Sequence, residues 1–139
     1  MIRFPMVKVA FDENVTNTTF KAKVEVADTT FKEGMTTNEK LHALYKAIGC
    51  SMVEVSYIKV GGKQYTVFSD EESKLEKWVP TLLLYDEDGK VYDVIANSFV
   101  VVKEDDDENF VPMGEKEFGN VTDYLRREVP KAIKVVRNM

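Results

Sequence analysis

The stretch MVEVSYIKVGGKQYTVF, residues 52–68, decides how the rest of the chain is read. Two β-rich runs flank Gly61-Gly62, a two-residue loop of the kind that joins antiparallel strands and favours glycine because its backbone passes through positive φ. The implied register sets Val55 opposite Phe68 and Tyr57 opposite Thr66. A phosphate-binding loop does not fit here, because its full glycine and lysine spacing and its following helix are both missing.

Toward the N-terminus, Phe20, Ala22, Val24 and Val26 alternate with Lys21, Lys23 and Glu25, the period of a half-buried antiparallel strand. Residues 2–11 also read as extended, and Pro5, which has no N–H for a ladder, marks an edge strand or a strand start. Residues 14–19 are the turn between them. Thr36 and Glu39 then stand at capping-box spacing, and Leu41, Leu44, Tyr45 and Ile48 form the stripe of a helix that Gly49 stops.

Toward the C-terminus, residues 70–78 predict a short surface helix or loop ended by Pro80. Residues 81–85, the turn Asp86-Glu87-Asp88-Gly89 and residues 91–102 predict a second hairpin with one long strand. Its latter half, Phe99 to Val102, is continuously apolar, as a central strand covered on both faces would be. The acidic run Glu104, Asp105, Asp106, Asp107 and Glu108 turns the chain again into residues 109–113. In the tail, Val121, Tyr124, Leu125, Val129, Ile133 and Val136 share a helical face. Pro130 interrupts that pattern and predicts a kink or two short helices.

These elements predict an α+β domain: a mainly antiparallel sheet of about six or seven strands in hairpins, with one central helix and a C-terminal helical segment over residues 119–139. A chain of 139 residues, 44% hydrophobic and 31% charged, is one domain's worth, residues 1–139, and its composition excludes global disorder. The lone cysteine, Cys50, excludes an internal disulfide framework and a cysteine-based zinc site and fits a reducing cytosol. No run approaches the roughly 18 apolar residues of a membrane span, and residues 1–10 lack the pattern of an export signal, so the expected location is cytoplasmic.

The net charge of −5 hides a gradient: residues 1–68 carry +2, residues 69–117 carry −10 and residues 118–139 carry +3. An acidic middle repels phosphate backbones and attracts basic surfaces. Turns also favour aspartate for its local backbone bonds, so a solvated hairpin tip is the competing reading of both acidic runs.

Several further features resemble a family of small uncharacterised domains of phages and other mobile genetic elements, over residues 38–118. They are the helix ending in Ile48-Gly49, the Val53-Glu54-Val55 strand, Asp70-Glu71-Glu72 followed by Lys74-Leu75, the run from Tyr85 to Val94, and the last hairpin ending in Phe110-Val111. Ser73 replaces the family's usual glycine, and Thr81 its usual asparagine after Pro80. The resemblance carries no catalytic residues with it and implies only a setting, one in which proteins often bind and disarm host machinery.

Reactive constellations are scarce. His42 and Cys50, eight residues apart, would lie about 12 Å apart along a helix, and Gly49 breaks that helix first. The loop Asp86-Glu87-Asp88-Gly89 departs from a calcium loop at Leu84 and Ile95, where ligands should stand. No catalytic residue, resident metal or cofactor is expected. The favoured reading is a non-catalytic protein presenting an acidic edge (Asp86, Glu87, Asp88, Glu104, Asp105, Asp106, Asp107, Glu108) to a basic surface of a host protein. One alternative is a nucleotide-like ligand, or an enzyme's substrate, held by Tyr65, Trp78, Tyr85, Arg126 and Arg127. Another is nucleic-acid binding through the basic C-terminal helix, which the acidic surroundings of the sheet aromatics disfavour. Exposed strand edges also allow a homodimer.

Overall fold

The computed structural model describes residues 3–13, 18–27, 34–72 and 78–137. The chain order is β1 (Phe4–Glu13), β2 (Thr18–Ala27), α1 (Thr37–Ile48), β3 (Val53–Val60), β4 (Lys63–Asp70), β5 (Pro80–Tyr85), β6 (Val91–Ala96), β7 (Phe99–Glu104), β8 (Phe110–Val111) and α2 (Glu115–Arg137). Most of the turn expected over 14–19 and the centre of the 70–78 segment lie outside the described residues.

Strands β2-β1-β7-β4-β3 lie side by side in that order, and β8 pairs with the end of β7 to complete a six-stranded sheet. Every pairing is antiparallel. The β3–β4 hairpin has the register read from Gly61-Gly62, with Val55 opposite Phe68 and Tyr57 opposite Thr66. Pro5 sits at the start of β1, before the two residues, Met6 and Val7, that pair with β7.

Strand β7 is apolar throughout Phe99–Val102 because it is central and covered on both sides. Phe99 and Val101 point into a core with Val67, with Leu82, Leu84 and Ile95 of the small β5–β6 sheet, and with Val121, Leu125 and Val129 of α2. Val100 and Val102 point the other way, among Phe4, Met6, Phe68 and Phe110, beneath Leu44 of α1. The two helices therefore cover opposite faces of one sheet. Helix α1 begins with the expected capping box, in which Thr36 Oγ1 accepts from the Glu39 N–H and Glu39 Oε1 accepts from the Thr36 N–H. It ends at Gly49, whose φ of 82° is the left-handed C-cap.

Two expectations are corrected. The run 91–102 is two strands in different sheets. Asn97 takes φ 63°, donates its N–H to the Val79 carbonyl at 2.9 Å, and accepts the Val79 N–H on Oδ1 at 3.0 Å. The Asn97 carbonyl accepts the buried Thr81 hydroxyl at 2.7 Å. Asn97 is thus tied to the start of β5, and Ser98 Oγ, accepting the Val9 N–H at 2.9 Å, brings the chain in beside β1.

The tail, likewise, is not split into two short helices at Pro130: one helix runs from Glu115 to Arg137 with Pro130 inside it. It begins earlier than the apolar stripe because Gly114 and Glu117 start it: the Glu117 carboxylate accepts the Gly114 N–H at 3.2 Å. An interior proline costs a helix about 3 kcal/mol. Burial of Leu125 and Val129 before it and Ala132 after it offsets that cost.

Candidate functional site

Both acidic runs fold as hairpin turns of the same construction. In the first, the Asp86 N–H donates to the Lys90 carbonyl and the Gly89 N–H to the Asp86 carbonyl, at 2.8 and 3.0 Å. In the second, the Asp105 N–H donates to the Asn109 carbonyl and the Glu108 N–H to the Asp105 carbonyl, at 2.9 and 3.1 Å. The leading aspartate does the same work in each. Asp86 Oδ1 accepts the N–H groups of Asp88 and Lys90, and Asp105 Oδ1 those of Asp107 and Asn109, all at 2.9 Å. The Asn109 N–H, helped by the Asp107 N–H and by nearby Lys40, holds the Asp105 carboxyl below its usual range.

The remaining carboxylates of the turns point outward. Glu87, Asp88, Asp106, Asp107 and Glu108 are exposed, and among the described residues none of them forms an ion pair. Glu104, at the end of β7, is half-buried.

Strand register brings the two turns to one end of the molecule. Thr66 opposite Val102 runs β7 toward the Gly61-Gly62 end of β4, so the 105–109 turn emerges there. Asp86 and Glu87 reach the same end, where they share a groove of about 250 Å³ with Lys59 and Gln64. Its other walls include Tyr57 on β3, Tyr85 on β5 and Tyr124 on α2. The Tyr85 hydroxyl donates to Glu128 Oε2 at 3.2 Å. Burial, with Glu128 beside it, raises the Tyr85 hydroxyl pKa and pushes that of Tyr124 up to about 12.

The residues proposed from sequence for a small ligand are not assembled into one site. Tyr65 is buried, and its hydroxyl donates to Glu117 Oε2 at 2.7 Å. Trp78 is exposed beside the end of a described segment. Arg126 pairs with Asp123 at 3.7 Å and lines a separate groove of about 320 Å³ with Lys23 and Pro130. Arg127 is exposed on α2. Of the five, only Tyr85 lines the first groove.

Glu117 is the residue that sequence reasoning missed. Its carboxylate, with a side chain only 11% exposed, receives Lys103 Nζ at 2.9 Å, lies 3.8 Å from Lys63 Nζ, and accepts the Tyr65 hydroxyl. Burial alone would raise its pKa, but Lys103, Tyr65 and the Gly114 N–H outweigh that and hold it at about 2. The same burial and the charge of Glu117 push Tyr65 up to about 12. The cluster fastens the start of α2 to β4 and β7. The spacing Gly114-x-x-Glu117 was the one signal for it.

Elsewhere, burial and nearby Asp70 raise the Cys50 thiol pKa, the opposite of what a reactive thiolate needs. His42 is exposed and packs edge-on against Tyr45 at 5.5 Å. Among the described residues no group of three His, Cys, Asp or Glu side chains is placed to hold a metal ion, and no helix is long and apolar enough to cross a membrane.

Fold and site together define the class: a small α+β domain, an antiparallel sheet with a helix on each face and its acidic turns gathered at one end. The chain belongs to the family described as Domain of unknown function (DUF3846), which matches residues 19–126, from β2 into α2. No curated protein and no solved structure matches it.

Proposed function

We propose that this protein is a non-catalytic interaction module whose acidic end binds a basic surface on another protein. One observation carries the reading: two turns of like geometry, at the same end of the sheet, hold their outer carboxylates in solvent without ion-pair partners among the described residues. Fixed charge of one sign, free of ion pairs among the described residues, steers a complementary partner, and salt weakens that steering over a Debye length of about 8 Å. The mobile-element resemblance supports a host protein as that partner.

A nucleotide-like ligand has less support. The groove at Tyr85, at about 250 Å³, lies below the roughly 300–1,000 Å³ of small-molecule sites, and Asp86 and Glu87 at its mouth would repel phosphate. The basic face of α2 keeps direct nucleic-acid binding as a second reading, supported only by Lys23 and Arg126 sharing a groove.

The test is affinity capture from host extract with wild-type protein and with the triple variant Asp106→Asn, Asp107→Asn, Glu108→Gln, which spares the turn-building Asp105, read by mass spectrometry at two salt concentrations. Loss of the captured protein in the variant, and in wild type at high salt, is the expected result. Equal capture by both proteins at both concentrations overturns the proposal.

A further inference from the structure

We infer that the groove beside the 86–90 turn is a seat for one arginine side chain of the partner, an inference that rests on the acidic-end reading above. Tyr57 and Tyr85 are 54% and 38% exposed, large areas for aromatic rings on a folded surface, and both border the groove from different strands. Tyr124 borders it from the helix. Exposed tyrosines converging on a concavity are characteristic of the energetic centre of protein interfaces. Their ring faces attract cations, and a planar guanidinium stacks on them better than an ammonium does.

The charges at the groove favour the same occupant. Glu87 has no ion-pair partner among the described residues, and Asp86, which uses Oδ1 within the turn, keeps Oδ2. A guanidinium entering between the rings would meet the Glu87 carboxylate and Asp86 Oδ2. Among the described residues lining the groove, Lys59 is the one cation, against the two carboxylates of Asp86 and Glu87. Farther back, Glu128 is held by Lys131 at 3.3 Å, so that pair is neutral, and Arg127 is exposed on the helix flank.

The experiment titrates the isotope-labelled full chain with hexa-arginine, hexa-lysine and hexa-citrulline peptides, following the tyrosine ring resonances by NMR and affinity by fluorescence anisotropy. Hexa-arginine should shift the rings of Tyr57, Tyr85 and Tyr124 and bind several-fold more tightly than hexa-lysine, while neutral hexa-citrulline leaves the rings unmoved. Tyr57→Leu with Tyr85→Leu should weaken hexa-arginine binding about tenfold. The ring shifts in wild-type protein give a readout that does not depend on the variant folding. Hexa-arginine binding that leaves the rings unmoved and is lost in the Asp106, Asp107 and Glu108 triple variant overturns the groove and spares the acidic end. Equal binding of hexa-lysine with equal ring shifts overturns the preference for arginine. Absence of any hexa-arginine binding overturns both readings.

Discussion

The turn at 86–90 and the turn at 105–109 repeat one piece of backbone with different residues. Each opens on an aspartate whose side chain caps two N–H groups, and each passes through the left-handed region at its fourth position. The first places Gly89 there, at φ 79°, and the second places Glu108, at φ 61°. The first joins the strands of the small sheet, whereas the second follows the central strand of the large one. The comparison teaches that a count of acidic residues overstates what a partner can use. Asp105 commits both carboxylate oxygens and Asp86 one to building the turns, and most of the charge left over is carried by the residues after them.

Glu117 is a third kind of carboxylate, and removing it should have the largest effect. Its pKa falls from an ordinary 4.5 to about 2, so folding gains from its ionisation. The shift corresponds to about 3 kcal/mol, fully present above pH 4.5 and lost as the pH falls toward 2. Glu117→Ala should therefore destabilise the protein by about 3 kcal/mol in urea unfolding at pH 7, with much of the loss of stability between pH 4.5 and 2 gone. At the other extreme, Tyr65 and Tyr124, both raised to about 12, predict that stability declines as the pH rises from 10 through 12, measured the same way.

Gly89→Ala forces a Cβ into the left-handed region and should cost about 1 kcal/mol, read as a lower urea midpoint with an unchanged slope. Asp86→Ala strips two backbone N–H groups of their acceptor at an exposed site and should also cost about 1 kcal/mol. Asp105→Ala should lower stability as well; if it does not while Asp86→Ala does, the two turns are not energetically equivalent. Glu108→Gly should have the smallest effect and the opposite sign, a gain of roughly 0.5 kcal/mol, because it relieves the strain that Gly89 avoids.

Much of this fold could be read from local chemistry. Gly61-Gly62 fixed a register, Thr36 and Glu39 marked a helix start, and the unbroken apolar run at Phe99–Val102 announced a central strand. What escaped reading was decided by residues far apart in the chain. Nothing around Asn97 shows that its side chain will satisfy Val79, eighteen residues earlier, so 91–102 reads as a single strand. Pro130 reads as a kink or a split although packing on both sides carries one helix through, and nothing in the apolar stripe from Val121 shows that this helix starts at Glu115. Of the site, both acidic turns were visible. The groove was not, because β3, β5 and α2 each supply one tyrosine, and Glu117 was not, because its Tyr65 partner lies 52 residues away.

The central position of β7 bears on how the molecule is made. Hairpins β1–β2 and β3–β4 do not pair with each other, and the strand that joins them is Phe99–Glu104. A nascent chain leaving the ribosome therefore carries two separate hairpins, with Phe4, Met6, Val67 and Phe68 uncovered, until that segment emerges. Assembly of the sheet is postponed to a late moment, and the high sequence separation of its pairings slows it further. During translation, the interval before Phe99 appears is when this protein is most open to misassociation or to a chaperone.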